Sequence, residues 1–207
     1  MTETARTIDL IETMAFDPSS GIANLEQHLE RMRTSAAELG FTFDRHLARN
    51  ELQAATFRCR DRRKVRLLLS PSGHMAIESR SLPKMPHQPV EVVLAPLPVP
   101  SDDLRLRHKT SDRGFHREAL AKAGTYEVVF VNGEGFVTEG SFTNVFVERH
   151  GKLLTPPLSR GLMPGVLRRQ LIDEGRSVEA DLRPDDLRDG LFIGNAVRGL
   201  IAAKLVE

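Results

Sequence analysis

The stretch "VFVNGEGFVTEGSFTNVFVERHGKLLTPPLSRGLMPGVLR", Val129–Arg168, decides how the rest of the chain is read. Its apolar residues come in strand-length blocks, each ending at a turn signal. Asn132–Gly135 turns one hairpin and Gly151 turns a second. A Gly/Pro-rich loop then runs into an amphipathic helix, with Pro164 suited to the first turn and Gly175 to the end. Consecutive hairpins predict an α+β chain with antiparallel pairing, not a doubly wound sheet. No G-x-G-x-x-G or G-K-[ST] follows a strand, so neither a dinucleotide fingerprint nor a P-loop is present.

Working outward, the C-terminal part reads as strand "SVEADL", short helix "PDDLRD" and strand "LFIGN". Upstream, "TIDLIETM" alternates as a strand, and "KVRLLLSPSGHMAIESRSL" is two strands about a Pro-Ser-Gly turn. Leu25, His28, Leu29, Met32, Ala36 and Leu39 recur at helical spacing, predicting a helix over 24–39. Asn24 with Gln27 resembles a capping box and Gly40 closes that helix. A weaker helix covers 45–58, and "VEVVLAP" is a further strand. Three prolines then mark a boundary, followed by a short helix over 113–123 that Ser111 or Asp112 could cap. Two lobes follow: a small α+β lobe over 1–95, a linker at 96–103, and a large lobe over 104–207.

The chain has 207 residues, 40% hydrophobic and 28% charged, a composition that packs a core. Its 29 basic and 28 acidic residues leave a net charge of +1, and no Lys/Arg run is interleaved with aromatics, which argues against a nucleic-acid groove. The apolar runs are too short to span a bilayer, and the N-terminus lacks the pattern of a secretory signal. Cys59 has no partner for an internal disulfide and no His or Cys cluster to make a metal site. A cytoplasmic protein without metal, membrane or nucleic acid is expected.

Five features could carry chemistry. "LRHKTSDRGF", Leu106–Phe115, places one of only six lysines, Lys109, between the Pro-rich boundary and a helix start. An amine there could attack a carbonyl compound if burial or a cation depressed its pKa; a solvated loop lysine has the same spacing. Glu139 ends a strand beside Gly140, where it could pair with a protonated ring nitrogen or simply guard a sheet edge. The loop before Val166 and Leu167 could hold an anion at a helix N-terminus, and Asn195 offers a neutral donor at a strand end. Arg31 flanks the apolar stripe of the first helix and could face solvent or a phosphate.

Taken together, "LIETM" through "NAVRGLIAA" resembles the class IV aminotransferases, the fold-type IV family that binds pyridoxal 5′-phosphate (PLP), and the Val129–Arg168 stretch carries most of the likeness. The resemblance implies a two-lobed architecture like that of D-amino acid aminotransferase, with a barrel-like large lobe. It also implies roles. Lys109 matches the lysine that binds the cofactor aldehyde and shuttles protons, and Glu139 matches the acid on the pyridine nitrogen. Arg31 matches the phosphate arginine, and the N–H groups of Val166 and Leu167 with the Asn195 side chain match the rest of the phosphate cup. "HKTSDR", "TPPLSRGLMPG" and "NAVRGL" are most similar to the 4-amino-4-deoxychorismate lyase branch, implying release of 4-aminobenzoate and pyruvate, a step of folate biosynthesis. A transaminase on branched-chain or D-amino acids, or a non-catalytic PLP-binding relative, stays open. The family pattern further implies a small amino-acid-like substrate and a homodimer with its site between the lobes. Two departures stand out: the sequence opens almost at "LIETM", without a "DRG…GDG" leader, and Phe115 and His116 stand where many members place a tyrosine. Arg107, Arg160 and Arg198 are candidates for the substrate carboxylate.

Overall fold

The computed structural model describes residues 8–207; the N-terminal residues read above for a signal, and the first residue of the first expected strand, lie outside them. The chain divides into two compact units. One holds the residues up to Pro83 together with His108–Asp112, and the other holds Lys84–Arg107 and Arg113–Glu207.

In the first unit, β1 (Leu10–Asp17), β2 (Gly21–Ile22), β3 (Arg63–Leu69) and β4 (Met75–Ser81) form one antiparallel sheet in the order β2-β1-β3-β4. Two helices accompany it, α1 (Leu25–Leu39) and α2 (Arg45–Thr56). β3 shows the period of two directly, since Val65, Leu67 and Leu69 are buried while Lys64, Arg66 and Leu68 are not. Those three pack with Leu10 and Met14 of β1 and with Leu29, Met32 and Ala36 from the α1 stripe. Asp44 caps α2 by accepting from the His46 and Leu47 N–H groups. Asn24 does not form the expected capping box; it sits in the left-handed region at φ 53°, and its side chain makes no cap bond to α1.

The second unit is built on β5 (Val90–Pro96), β6 (Glu127–Val131), β7 (Val137–Gly140), β8 (Asn144–Arg149), β9 (Lys152–Thr155), β10 (Ser177–Glu179), β11 (Leu191–Asn195) and β12 (Gly199–Leu205). Their order is β10-β9-β8-β11-β12-β5-β6-β7, and an additional β7–β8 pairing closes six of them, β5 to β8 with β11 and β12, into a ring. Val92, Val129, Val145, Ile193 and Ile201 fill its core. Helices α3 (Leu104–Arg107), α4 (Gly114–Ala123) and α5 (Val166–Asp173) complete the unit. The hairpin expected at Asn132–Gly135 is present: Asn132 accepts from the Glu134 and Phe136 N–H groups, and Gly135 takes φ 80°, which suits glycine.

Several expectations change. β5, read with the small lobe, is hydrogen-bonded between β12 and β6, parallel to both, so 90–96 and the prolines after it lie within the second unit. The large sheet is therefore mixed, with β10 also parallel to β9, because strands joined by longer crossovers are not bound to hairpin polarity. β12 has no counterpart in the sequence reading. α4 has no side-chain cap: the Ser111 hydroxyl accepts instead from the Asp9 N–H. Pro164 precedes α5 rather than starting it, with Gly165 at the N-cap.

Leu67 is fully buried in the first unit's core, so Leu67→Ala is expected to cost about 3 kcal/mol of stability, read as a lower urea midpoint at unchanged slope.

Candidate functional site

Lys109 lies in a five-residue piece, His108–Asp112, that is stitched onto β1 of the first unit. The Lys109 carbonyl accepts from the Ile11 N–H at 2.8 Å, Thr110 bridges Leu10, and the Ser111 N–H donates to the Asp9 carbonyl at 2.8 Å. His108 is buried and contacts the Ser35 hydroxyl of α1 at 3.1 Å. The backbone around Lys109 is thus fixed on both sides, while its side chain is half-buried.

Arg31 sits on α1 next to the same strand. Its Nε and Nη2 donate to the two oxygens of Glu12 at 2.8 and 2.6 Å, a bidentate pair. Glu12 is buried on β1 and also meets His28 Nδ1 at 2.6 Å. Burial alone would raise the Glu12 pKa, but the Arg31 charge, His28 and their hydrogen bonds overcome it and lower it to about 2. The segment holding Lys109 and the pair holding Arg31 therefore meet β1 at adjacent residues, Ile11 and Glu12.

In the second unit, Glu139 is buried on β7. Its Oε2 accepts from the Met163 N–H at 2.8 Å, and its Oε1 lies 3.4 Å from His116 Nε2. His116, on α4, stacks on Phe115 at 3.8 Å between centroids. Opposite Glu139 in the ladder is Asn144, whose Nδ2 donates to the Met163 carbonyl at 3.0 Å. One residue, Met163, is therefore gripped through both its backbone groups just ahead of α5. Gly165 leaves no room for a side chain as Asn144 is placed, because a Cβ there would stand 1.8 Å from Asn144 Oδ1.

Val166 and Leu167 open α5, where first-turn N–H groups have no intrahelical acceptor and the helix dipole favours an anion. The end of β11 packs directly on this turn: a Cβ on Gly194 would lie 2.8 Å from Leu167 Cδ2. Next to it, Asn195 Oδ1 accepts from the Val197 and Arg198 N–H groups, and Nδ2 donates to the Phe142 carbonyl at 3.2 Å. Its amide is thus committed to the β11–β12 turn, leaving one further N–H proton to offer.

The three candidate arginines are told apart. Arg107 is exposed. Arg160 is held by Asp181 and Glu134 and stacks on Phe136 at 3.8 Å. Arg198 is half-buried; its Nη1 donates to the Tyr126 hydroxyl at 2.9 Å, and its buried Nε has no hydrogen-bond partner. The partners the sequence reading did not find are Glu12, His28 and Asn144. Glu12 had one signal, a carboxylate at an inward position of an apolar strand.

Glu139 and the α5 turn fit PLP. A buried carboxylate with one short bond can still accept from a protonated pyridine nitrogen, and two N–H groups at a helix start suit phosphate oxygens. Among the described residues no group of three or more His, Cys, Asp or Glu could hold a metal ion, and no helix is long and apolar enough to cross a membrane.

The Glu12 pair sets an acid limit on stability. Its folded pKa lies below the ordinary 4.5, so its contribution is fully present above about pH 4.5 and fades as pH falls through about 2. Urea denaturation of Glu12→Gln from pH 7 to pH 2.5 is expected to show lower stability at pH 7 and a shallower fall below pH 4.5.

Known proteins are similar to this chain in sequence and fold. The family model for amino-transferase class IV matches residues 9–206. A Schizosaccharomyces pombe protein provisionally named an aminodeoxychorismate lyase is 28% identical over 210 residues, covering 96% of this chain and 90% of its own. A Thermotoga maritima protein provisionally named a branched-chain-amino-acid aminotransferase is 43% identical over 54 residues, or 26% of this chain and 20% of its own. The crystal structure of a Mesorhizobium loti protein, provisionally described as an amino-acid aminotransferase, superposes with a TM-score of 0.88 at 38% identity, covering 96% of this chain and all of that one. The chain belongs to the class IV aminotransferase family and is a PLP-dependent enzyme.

Proposed function

We propose that this enzyme is a lyase that converts 4-amino-4-deoxychorismate to 4-aminobenzoate and pyruvate. The observation that carries this reading is the Schizosaccharomyces pombe relative, which matches from end to end where the branched-chain aminotransferase match is local. Lys109 would hold the cofactor aldehyde, with Glu139 on the pyridine nitrogen. The phosphate falls to Arg31, to the N–H groups of Val166 and Leu167, and to Asn195. When bound, PLP supplies an electron sink for the carbanion.

The remaining work belongs to side chains of this chain. Lys109 takes the proton from the carbon that bears the substrate nitrogen. It then returns a proton to the departing enolpyruvate, so the substrate divides into 4-aminobenzoate and pyruvate with no co-reactant. Glu139 would accept from the pyridine nitrogen and so favour its protonated form. Arg198 takes the ring carboxylate: its guanidinium donates to the neutral Tyr126 hydroxyl and not to an acid, and Tyr126 meets Phe142 edge-on at 5.9 Å, giving aromatic faces for a flat ring.

A second reading, transamination of amino acids, is favoured by the Mesorhizobium loti protein, the full-length match at 38% identity. Both readings share Lys109 as proton carrier and differ in which atom finally receives the proton.

Pyruvate release from 4-amino-4-deoxychorismate by the PLP-loaded enzyme is the direct test. Lys109→Ala is expected to lower it by roughly 10²–10⁴-fold; release at the normal rate would remove Lys109 from the reaction. Mixing with L-leucine, D-alanine or L-glutamate is expected to yield no oxo acid, and its appearance would favour the second reading. Arg198→Gln is expected to raise KM for the lyase substrate by about tenfold or more with a smaller change in kcat.

A further inference from the structure

We propose that Glu127, which nothing above uses, is a positioning residue that sets Glu139 and the first turn of α5 by holding the turn between β7 and β8. The inference rests on the role proposed for Glu139.

Glu127 is fully buried at the start of β6. Its Oε1 accepts from the Val128 N–H at 2.9 Å, the Ser141 N–H at 2.9 Å and the Ser141 hydroxyl at 2.5 Å. Its Oε2 accepts from the Phe142 N–H at 3.1 Å and the Thr143 hydroxyl at 2.9 Å. Four of the five donors belong to Ser141, Phe142 and Thr143. The carboxylate therefore works as a template around which this three-residue turn is wrapped. Burial pushes the Glu127 carboxyl up, and the donors pull the other way.

The turn has no slack. A Cβ on Gly140 would stand 2.4 Å from Thr143 Oγ1 and 2.7 Å from Glu127 Oε2. Arg113 Nη2 also donates to the Ser141 carbonyl at 2.7 Å. The residues that flank the turn are Glu139 and Asn144, paired across β7 and β8. These two grip the N–H and the carbonyl of Met163, and Asn144 fits against Gly165. A rigid path thus runs from Glu127 through the turn to Glu139, and from there through Met163 to the N–H groups of Val166 and Leu167. A glutamine at 127 offers one oxygen where two are used and places an NH₂ against N–H and O–H donors, so the turn must shift.

The test is a double-mutant cycle on the full chain with Glu127→Gln, Glu139→Gln and the double variant. It measures the PLP dissociation constant by absorbance titration, together with the thermal midpoint. Glu127→Gln is expected to weaken PLP by about 10- to 100-fold, and the double variant is expected to bind no worse than the weaker single one. Glu127→Asp, which keeps the charge, is expected to recover part of the loss. Unchanged PLP affinity in Glu127→Gln, or losses that multiply in the double variant, would overturn the inference while leaving Glu139 in place. If Glu139→Gln itself binds PLP normally, the reading of Glu139 fails and this one with it. Should Glu127→Gln not fold, Ser141→Ala removes one hydroxyl donor and is put through the same cycle with Glu139→Gln. A loss that does not add to that of Glu139→Gln supports the inference, and no loss, or an additive one, overturns it.

Discussion

A single ladder pair, Glu139 opposite Asn144, closes the six-stranded ring of the second unit. One pair is a thin seam for a barrel, and the structure reinforces it with side chains rather than with more ladder. Both members reach the backbone of Met163, so the closure of the ring and the approach to α5 are one construction. Moving either strand end would displace the carboxylate and the helix start together. A site built on strand ends and a helix terminus gains precision in this way, since its groups cannot drift independently.

The first unit uses β1 for a comparable purpose. Its buried Glu12 fixes Arg31 in bidentate geometry and meets His28, while its backbone receives the five-residue piece that carries Lys109. Removing one partner from such a buried group leaves an uncompensated charge, which is costly even where the intact pair adds little net stability. The pair thus defines a conformation more than it strengthens one. Short chain pieces have little core of their own, and His108–Asp112 is held by backbone bonds and by His108 against α1 instead.

Much of this was legible in the sequence where the signal was local. The Asn132–Gly135 turn, the α1 stripe and the β3–β4 hairpin each follow from spacing within about fifteen residues. What was not legible depends on distant partners. β5 looks the same whether it pairs with the first sheet or, as it does, between β12 and β6. β12, "GLIAAKL", holds a glycine and two alanines and carries little strand signal of its own, so its pairing with β11 and β5 is what defines it. Ser111 resembles a helix cap until Asp9, 102 residues away, is seen to use it. Glu127 is hidden for the same reason: a glutamate in a strand reads as a solvated edge unless the donors that surround it are known.

Three buried glutamates show how satisfaction separates structure from chemistry. Glu12 is answered by cationic and imidazole partners, and its pKa falls. Glu127 is answered by five neutral donors with no cation among them. Glu139 has one short bond, from Met163, and an imidazole at 3.4 Å. A buried carboxylate tolerates that little compensation poorly, and the deficit is what a ligand donor can relieve. The first two are completed by the chain itself and hold other residues in place. The third is the one whose remaining acceptor capacity a protonated ring nitrogen would fill, so the cofactor role proposed for Glu139 falls on the least satisfied carboxylate of the three and not on the most buried.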